Sequence, residues 1–228
     1  MRIRYANLEN CSHARNAVVV IDVLRAFSTA AYAFGSGAES ITLVSRVEEA
    51  LELKAAMPGA LVMGEVGGIN VVAFDFGNSP AEFLKLDLSG KTLIQRTSAG
   101  TQGIVRANQA KMLLAASLCC AGATARYLRQ KAPTSVSFVI SGEGPGEQGD
   151  EDLACAHYLG ALIRGDQVKP EVFLQRVSHS PAGKNLSGPD LPPPLAHDLE
   201  LCLQVDRFDF AMVVERENEQ LVMRPRRV

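Results

Sequence analysis

Along most of the chain, short apolar runs alternate with helix-length amphipathic segments. Residues 17–23 (AVVVIDV) are almost continuously apolar and β-branched, the pattern of a strand covered on both faces. A stretch of small residues at 26–37 follows, then a β-type run at 40–44 (SITLV). Residues 46–57 carry apolar side chains at Val47, Ala50, Leu51 and Leu53 with charges between them, and Pro58-Gly59 stops the segment. Further β-type runs stand at 60–63, 91–95, 112–115 and 136–140. Helices are predicted between them at about 80–86, 99–109, 119–131 and 150–164. Repeated strand–helix–strand units predict an α/β fold, a three-layer α/β/α arrangement around a largely parallel or mixed sheet. In such sheets ligands sit beyond the carboxyl ends of the strands.

After residue 164 the pattern changes. Residues 178–194 (SHSPAGKNLSGPDLPPP) are rich in Pro, Gly and Ser and predict a long irregular surface excursion. A short amphipathic helix at 195–203 and β-type runs at 208–214 and 220–223 follow, with 215–219 able to turn the two runs into a hairpin. This tail either completes the sheet or forms a small lobe. The expected organisation is a main α/β domain over residues 1–165, carrying the site motifs, and a region 166–228 of excursion, helix and hairpin that completes the fold.

Composition narrows the function classes. A chain of 228 residues, 47% of them hydrophobic, can bury a sizeable core. A formal net charge of -2 provides no global basic field for nucleic acid or an anionic membrane, while leaving room for a local site that takes a small anionic substrate. No apolar run approaches the roughly 20 residues needed to span a bilayer. The stretch 1–16 lacks the apolar middle of a secretory signal. Five cysteines without a CxxC pair argue against a disulfide framework or a zinc ribbon, and a reduced, cytoplasmic protein is expected. Oligomeric state is left open, a homo-oligomer included.

Four polar clusters follow predicted strands. Asp22 ends the first buried run, where a carboxylate needs a cation or several donors, and Arg25 stands near the start of the next helix, where it suits an oxyanion. The alternative is that Asp22 caps the helix and pairs with Arg25. In residues 64–80 (GEVGGINVVAFDFGNSP), Glu65 and Asp75 bracket a glycine-rich segment resembling a metal or phosphate loop; Asn78-Ser79-Pro80 also reads as an ordinary helix start. Residues 95–103 (QRTSAGTQG) supply Arg96, Thr97, Ser98, Gly100 and Thr101, a set suited to an oxyanion at a helix N-terminus, although a capping turn would explain a hydroxyl there. Residues 141–156 combine a glycine-rich loop with Asp150, Glu151 and Asp152, carboxylates that either favour a helix N-terminus or bind a hard cation such as Mg²⁺. The histidines form no constellation, and no GxSxG elbow supports a serine hydrolase.

Taken together and in order, DVLRAFST, GEVGG with FDFGNSP, RTSAGT and EDLACA resemble the motifs of the 2-phosphosulfolactate phosphatase family over about residues 17–164. Weaker similarity extends through the tail around 206–224. Ala73, Ser98-Ala99 and Cys120 depart from the residues common in the family. The resemblance implies an α/β phosphoric monoester hydrolase that uses Mg²⁺ to convert 2-phospho-3-sulfolactate to sulfolactate and phosphate, towards coenzyme M. On this basis Asp22, Glu65, Glu151 and Asp152 are the candidate metal ligands. Asp22, Arg25 and Glu65 are the candidate catalytic residues. Arg25, Asn78, Ser79, Arg96, Thr97, Gly100 and Thr101 are the candidate substrate-binding residues. Two other readings remain: an isochorismatase-like hydrolase with Cys120 or Cys155 as nucleophile, and a non-catalytic binder of small anions.

Overall fold

The computed structural model describes residues 1–142, 149–188, 191 and 193–228. All ten strands among the described residues, numbered in chain order, belong to one sheet. One half is parallel, in the order β1 (Arg2–Asn7), β8 (Ser135–Ile140), β2 (Ala17–Ile21), β7 (Met112–Ala116). The other half is parallel in the order β3 (Ser40–Val44), β6 (Thr92–Arg96), β4 (Leu61–Val66), with the two-residue β5 (Ile69–Asn70) turning back on β4. Between the halves stands an antiparallel ribbon of β9 (Ala211–Glu217) and β10 (Gln220–Arg226). Of the two placements open to the tail, its strands join the sheet.

The apolar runs explain this order. Every residue of β2 is fully buried; Val18 and Val20 face one hydrophobic cluster, and Ala17, Val19 and Ile21 face another, as the strand period requires. The inner cluster gathers around α1 (Ala26–Gly35) and α3 (Gly100–Arg106). On the outer face, α4 (Ala121–Lys131) and α5 (Asp150–Arg164) cover the β1–β7 half, while α2 (Val47–Ala56) covers Val44, Val62 and Ile94 of the other. The layers are therefore α/β/α.

The ribbon also reverses direction. Three successive antiparallel pairings, β7–β9, β9–β10 and β10–β3, make the two halves run opposite ways. In a flat sheet β2 and β3, four places apart, would stand roughly 19 Å from one another. The seven-residue α3, about 10 Å long, nevertheless packs on β2, β7 and β3 together. The sheet therefore curls around α1 and α3, and this curvature brings the loops after β2, β4 and β6 to one place.

Three expectations need correction. β1 was not anticipated, because RIRYAN is polar enough for an edge strand with one exposed flank. The predicted helix at 80–86 is a single 3₁₀ turn, Pro80–Phe83. Within the expected excursion lie the end of α6 (Glu171–His179), all of α7 (Pro181–Asn185) and the start of α8 (Pro193–Cys202). Ser180 caps α7 by accepting from Gly183 N, with Pro181 at the first helical position, so the Ser-Pro pair starts a helix instead of breaking one. Residues 189, 190 and 192 of that stretch lie outside the described residues, as do 143–148 of the fourth cluster.

Candidate active site

Asp22 follows β2 directly and is only 6% exposed. Its Oδ1 accepts a hydrogen bond from Ala26 N at 2.9 Å, which caps the N-terminus of α1. Gly100, at the start of α3, leaves room for the other oxygen: a Cβ there would sit 2.8 Å from Asp22 Oδ2. Glu65, in β4, braces the neighbouring loops. Its Oε1 accepts from Ser98 N at 2.6 Å, and its Oε2 accepts from Gly68 N at 2.6 Å and Ser98 Oγ at 3.1 Å. Gly64 beside it is required by close approach: at φ +134° its backbone lies against the Arg96 carbonyl, where a Cβ would collide.

Glu151 and Asp152 occupy the first turn of α5, and both are buried. Asp152 ties two strand ends together. Its Oδ1 accepts from Val23 N at 2.8 Å, and its Oδ2 accepts from Ser141 Oγ at 3.1 Å and Gly142 N at 2.9 Å. Glu151 differs: its Oε2 is buried without a hydrogen-bond partner among the described residues. Both carboxylates flank Gly142, where a Cβ would lie 2.8 Å from Glu151 Oε1 and 3.4 Å from Asp152 Oδ2.

The electrostatics follow from burial and crowding. The Asp22 carboxyl is raised to about 6, chiefly by burial; the Ala26 N–H opposes the shift and the Glu65 charge adds to it. Burial also raises Asp152, with the charges of Asp22 and Glu151 adding to it. Glu151 is raised by burial and by Asp22. At this junction of loops, geometry ties Asp22 to Gly100, two residues from the Ser98 that Glu65 holds, and ties Asp152 to Val23, the residue after Asp22, with Glu151 across Gly142 from it.

The third cluster is largely engaged with itself. Arg96 Nε donates to Ser45 O at 3.2 Å, and Nη1 donates to Glu65 O at 2.7 Å and Ser98 Oγ at 3.3 Å. Thr97 and Thr101 cap reciprocally: Thr97 N donates to Thr101 Oγ1 at 2.9 Å, and Thr101 N to Thr97 Oγ1 at 3.1 Å. Asn78 is buried, and its Oδ1 has no partner among the described residues.

The model of the 2-phosphosulpholactate phosphatase family matches residues 4–217. The chain belongs to that family. It is 32% identical over 204 residues to the probable 2-phosphosulfolactate phosphatase of Bacillus subtilis (strain 168), covering 88% of each chain. It is 35% identical over 230 residues to the protein of that description from Carboxydothermus hydrogenoformans, covering 93% of this chain and 92% of the other. With a Thermus thermophilus protein of the same description it shares 37% over 161 residues, 68% of this chain and 65% of the other. The phosphoric monoester hydrolase class expected from the sequence is the one that the 2-phosphosulpholactate phosphatase description names.

One detail of the second cluster and one of the first stand apart from the readings given for them. Asp75 lies outside the junction: it pairs with Lys54 at 2.7 Å and accepts from Val62 N at 2.7 Å. Burial would raise its carboxyl, but Lys54 and the Val62 N–H outweigh that and hold it below the ordinary value. Arg25 does not pair with Asp22. Its Nη1 donates to Asp198 Oδ2 at 2.6 Å, an ion pair between the loop after β2 and helix α8. Asp198 also accepts from Ser79 Oγ at 2.7 Å and Ala81 N at 3.2 Å. Sequence reasoning missed Asp198. Its only signal was a charge in the helix after the excursion, with no strand or glycine-rich loop beside it.

The thiol alternative fits poorly with both the 2-phosphosulpholactate phosphatase family and the geometry. All five cysteines are free and buried. Burial pushes Cys120 up to about 11 and raises Cys155 well above the ordinary thiol value, the reverse of an activated nucleophile.

Whether the junction suits the cation implied by the family can be judged from its donors. They are hard carboxylate oxygens, the set that Mg²⁺ prefers, and one of them, Glu151 Oε2, is buried without a partner among the described residues. Among the described residues, no three His, Cys, Asp or Glu side chains are already gathered as a cation cage. The donor chemistry fits, with Asp22 and Glu151 the least engaged of the four. No helix among the described residues is long and apolar enough to cross a membrane.

Proposed function

We propose that this chain hydrolyses 2-phospho-3-sulfolactate to 3-sulfolactate and inorganic phosphate in a Mg²⁺-dependent reaction of the cytoplasm, as in coenzyme M biosynthesis. The observation that carries this reading is Glu151 Oε2, buried without a hydrogen-bond partner among the described residues, in the charge field of a buried Asp22 whose carboxyl is raised to about 6. Carboxylates crowded out of water at the carboxyl ends of strands are stabilised by a cation, and an anion-binding pocket without one would repel its ligand.

Asp22 and Glu151 would hold the metal, with Asp152 and Glu65 adding charge while they brace the loops. When bound, Mg²⁺ would neutralise phosphate oxygens in a loose transition state, where catalysis is mainly charge stabilisation and alignment. The protein's own part is to orient the ester and admit one water. Arg25 donates only to Asp198 among the described residues and keeps the rest of its guanidinium fork for an oxyanion. Arg96, Thr97, Gly100 and Thr101 would act chiefly by shaping the phosphate loop, because their side chains and backbone are already tied to neighbours. Asn78 would face the second anionic group, whereas the Ser79 hydroxyl proton is already given to Asp198.

The test is phosphate release by the full chain across phosphorylated hydroxyacids, with and without a sulfonate, with Mg²⁺ or with EDTA. A Mg²⁺-dependent preference for the sulfonated ester, accompanied by a Mg²⁺-induced rise in Tm, is expected. Turnover that EDTA leaves untouched would sink the proposal.

A further inference from the structure

Asp198 belongs to none of the motif clusters, and it stands 173 residues from Arg25 in the chain. Its side chain is fully buried, at 0% exposure, and Arg25 beside it is only 11% exposed. A carboxylate removed from water must be matched on both oxygens. Here one oxygen takes the arginine and the other takes Ser79 Oγ and Ala81 N. Asp198 thus joins three segments: the loop after β2, the 3₁₀ turn after the second cluster, and α8.

The form of the ion pair is informative. A purely structural Arg–carboxylate pair commonly engages two parallel N–H groups. Arg25 instead presents Nη1 alone, and among the described residues its Nε and Nη2 donate to no protein acceptor. Asp198 cannot offer the second bond, because its other oxygen is held by Ser79 and Ala81. The guanidinium is therefore fixed at one corner, and the rest of its fork is left for another oxyanion.

We infer that Asp198 is a positioning residue: it holds the Arg25 guanidinium ready for the substrate's phosphate or sulfonate and couples helix α8 to the site. This rests on the proposal that Arg25 binds an oxyanion. The chemistry separates Asp198 from a mere space-filler. Asparagine at 198 has one acceptor oxygen and one amide nitrogen, so either Arg25 or the Ser79–Ala81 pair would then face a donor.

The experiment uses inorganic phosphate as the probe. Its affinity is measured calorimetrically in the presence of Mg²⁺, well below the Tm of every variant, alongside kcat/KM for the sulfonated ester. Arg25→Ala should weaken phosphate binding by about tenfold or more, and Asp198→Asn should approach that loss. In the Arg25→Ala background, Asp198→Ala should add less than about twofold, because Asp198 acts through the arginine. Should Asp198→Ala fail to fold, Asp198→Asn and Ser79→Ala carry the test, the latter with a smaller loss. Wild-type phosphate affinity in both Asp198→Asn and Ser79→Ala, with Arg25→Ala impaired, overturns the positioning role and leaves the proposed function standing. Undiminished affinity in Arg25→Ala removes the oxyanion role of Arg25, and the positioning role falls with it.

Discussion

At the junction of the loops, Asp22, Glu151 and Asp152 each carry a carboxyl raised by burial, with Glu65 adding its charge to Asp22. The consequence for pH has a definite sign. Between the ordinary carboxyl value of 3.8 and the folded value of about 6, folded Asp22 binds more protons than unfolded Asp22. Its protonation favours the folded state, and that benefit is lost as pH rises through about 6. For Asp22 alone the cost above that pH is roughly 3 kcal/mol. In EDTA, Tm from calorimetry should therefore rise as pH falls from 8 towards 5.5, and Mg²⁺ at pH 8 should recover much of the loss. A flat profile would mean that the carboxylates do not crowd one another. Asp22→Asn should flatten the slope, raise the metal-free Tm at pH 8, and lower phosphate release by at least about a thousandfold. Near-normal turnover in that variant would remove Asp22 from the chemistry.

The loop after β6 shows how an element holds its residues. Thr101 Oγ1 accepts from Thr97 N and donates to Thr97 O at 2.9 Å, all within a buried turn. Thr101→Val keeps the shape but orphans the Thr97 N–H, at a cost of about 1–3 kcal/mol. Urea unfolding should show that loss as a lower midpoint with an unchanged slope. Adding a methyl at Gly100 is a sharper perturbation. It would press on Asp22 Oδ2, Ala26 and Phe27, so Gly100→Ala should reduce kcat more than it raises KM.

The elements legible in the sequence were those whose local pattern matched their surroundings. AVVVI, SITLV and VSFVI are buried on both faces and read as continuous apolar runs, and residues 150–164 show a helix with acids in its first turn. β1 was illegible because Arg2 and Arg4 lie along an exposed flank. α7 was hidden by Ser, Pro and Gly, which here cap and start a helix. The acidic junction could be anticipated because Asp22 and Glu65 lie at or just beyond strand ends and Glu151 and Asp152 open a helix. Asp198 could not be, since only tertiary packing brings it to Arg25.

At the scale of the molecule, the ribbon of β9 and β10 is the piece on which both halves depend. Leu113 pairs with Val214 on one flank, and Leu221 with Leu43 on the other. A chain truncated before residue 208 would leave β7 and β3 with open edges and expose the apolar inner cluster. Such a truncation should lose cooperative thermal unfolding and bind a hydrophobic dye, rather than merely losing turnover. A compact, cooperatively melting fragment would show that the β1–β7 half folds alone.

That arrangement has a consequence in time. The strands of both halves precede residue 141 in the chain, yet the segment that unites them follows residue 210. A nascent polypeptide would thus carry two sets of finished strands with nothing to join them, sticky along two borders, until the ribbon emerged and slid between. Slow translation or a chaperone's grip over that interval would matter more here than for a sheet assembled in reading order.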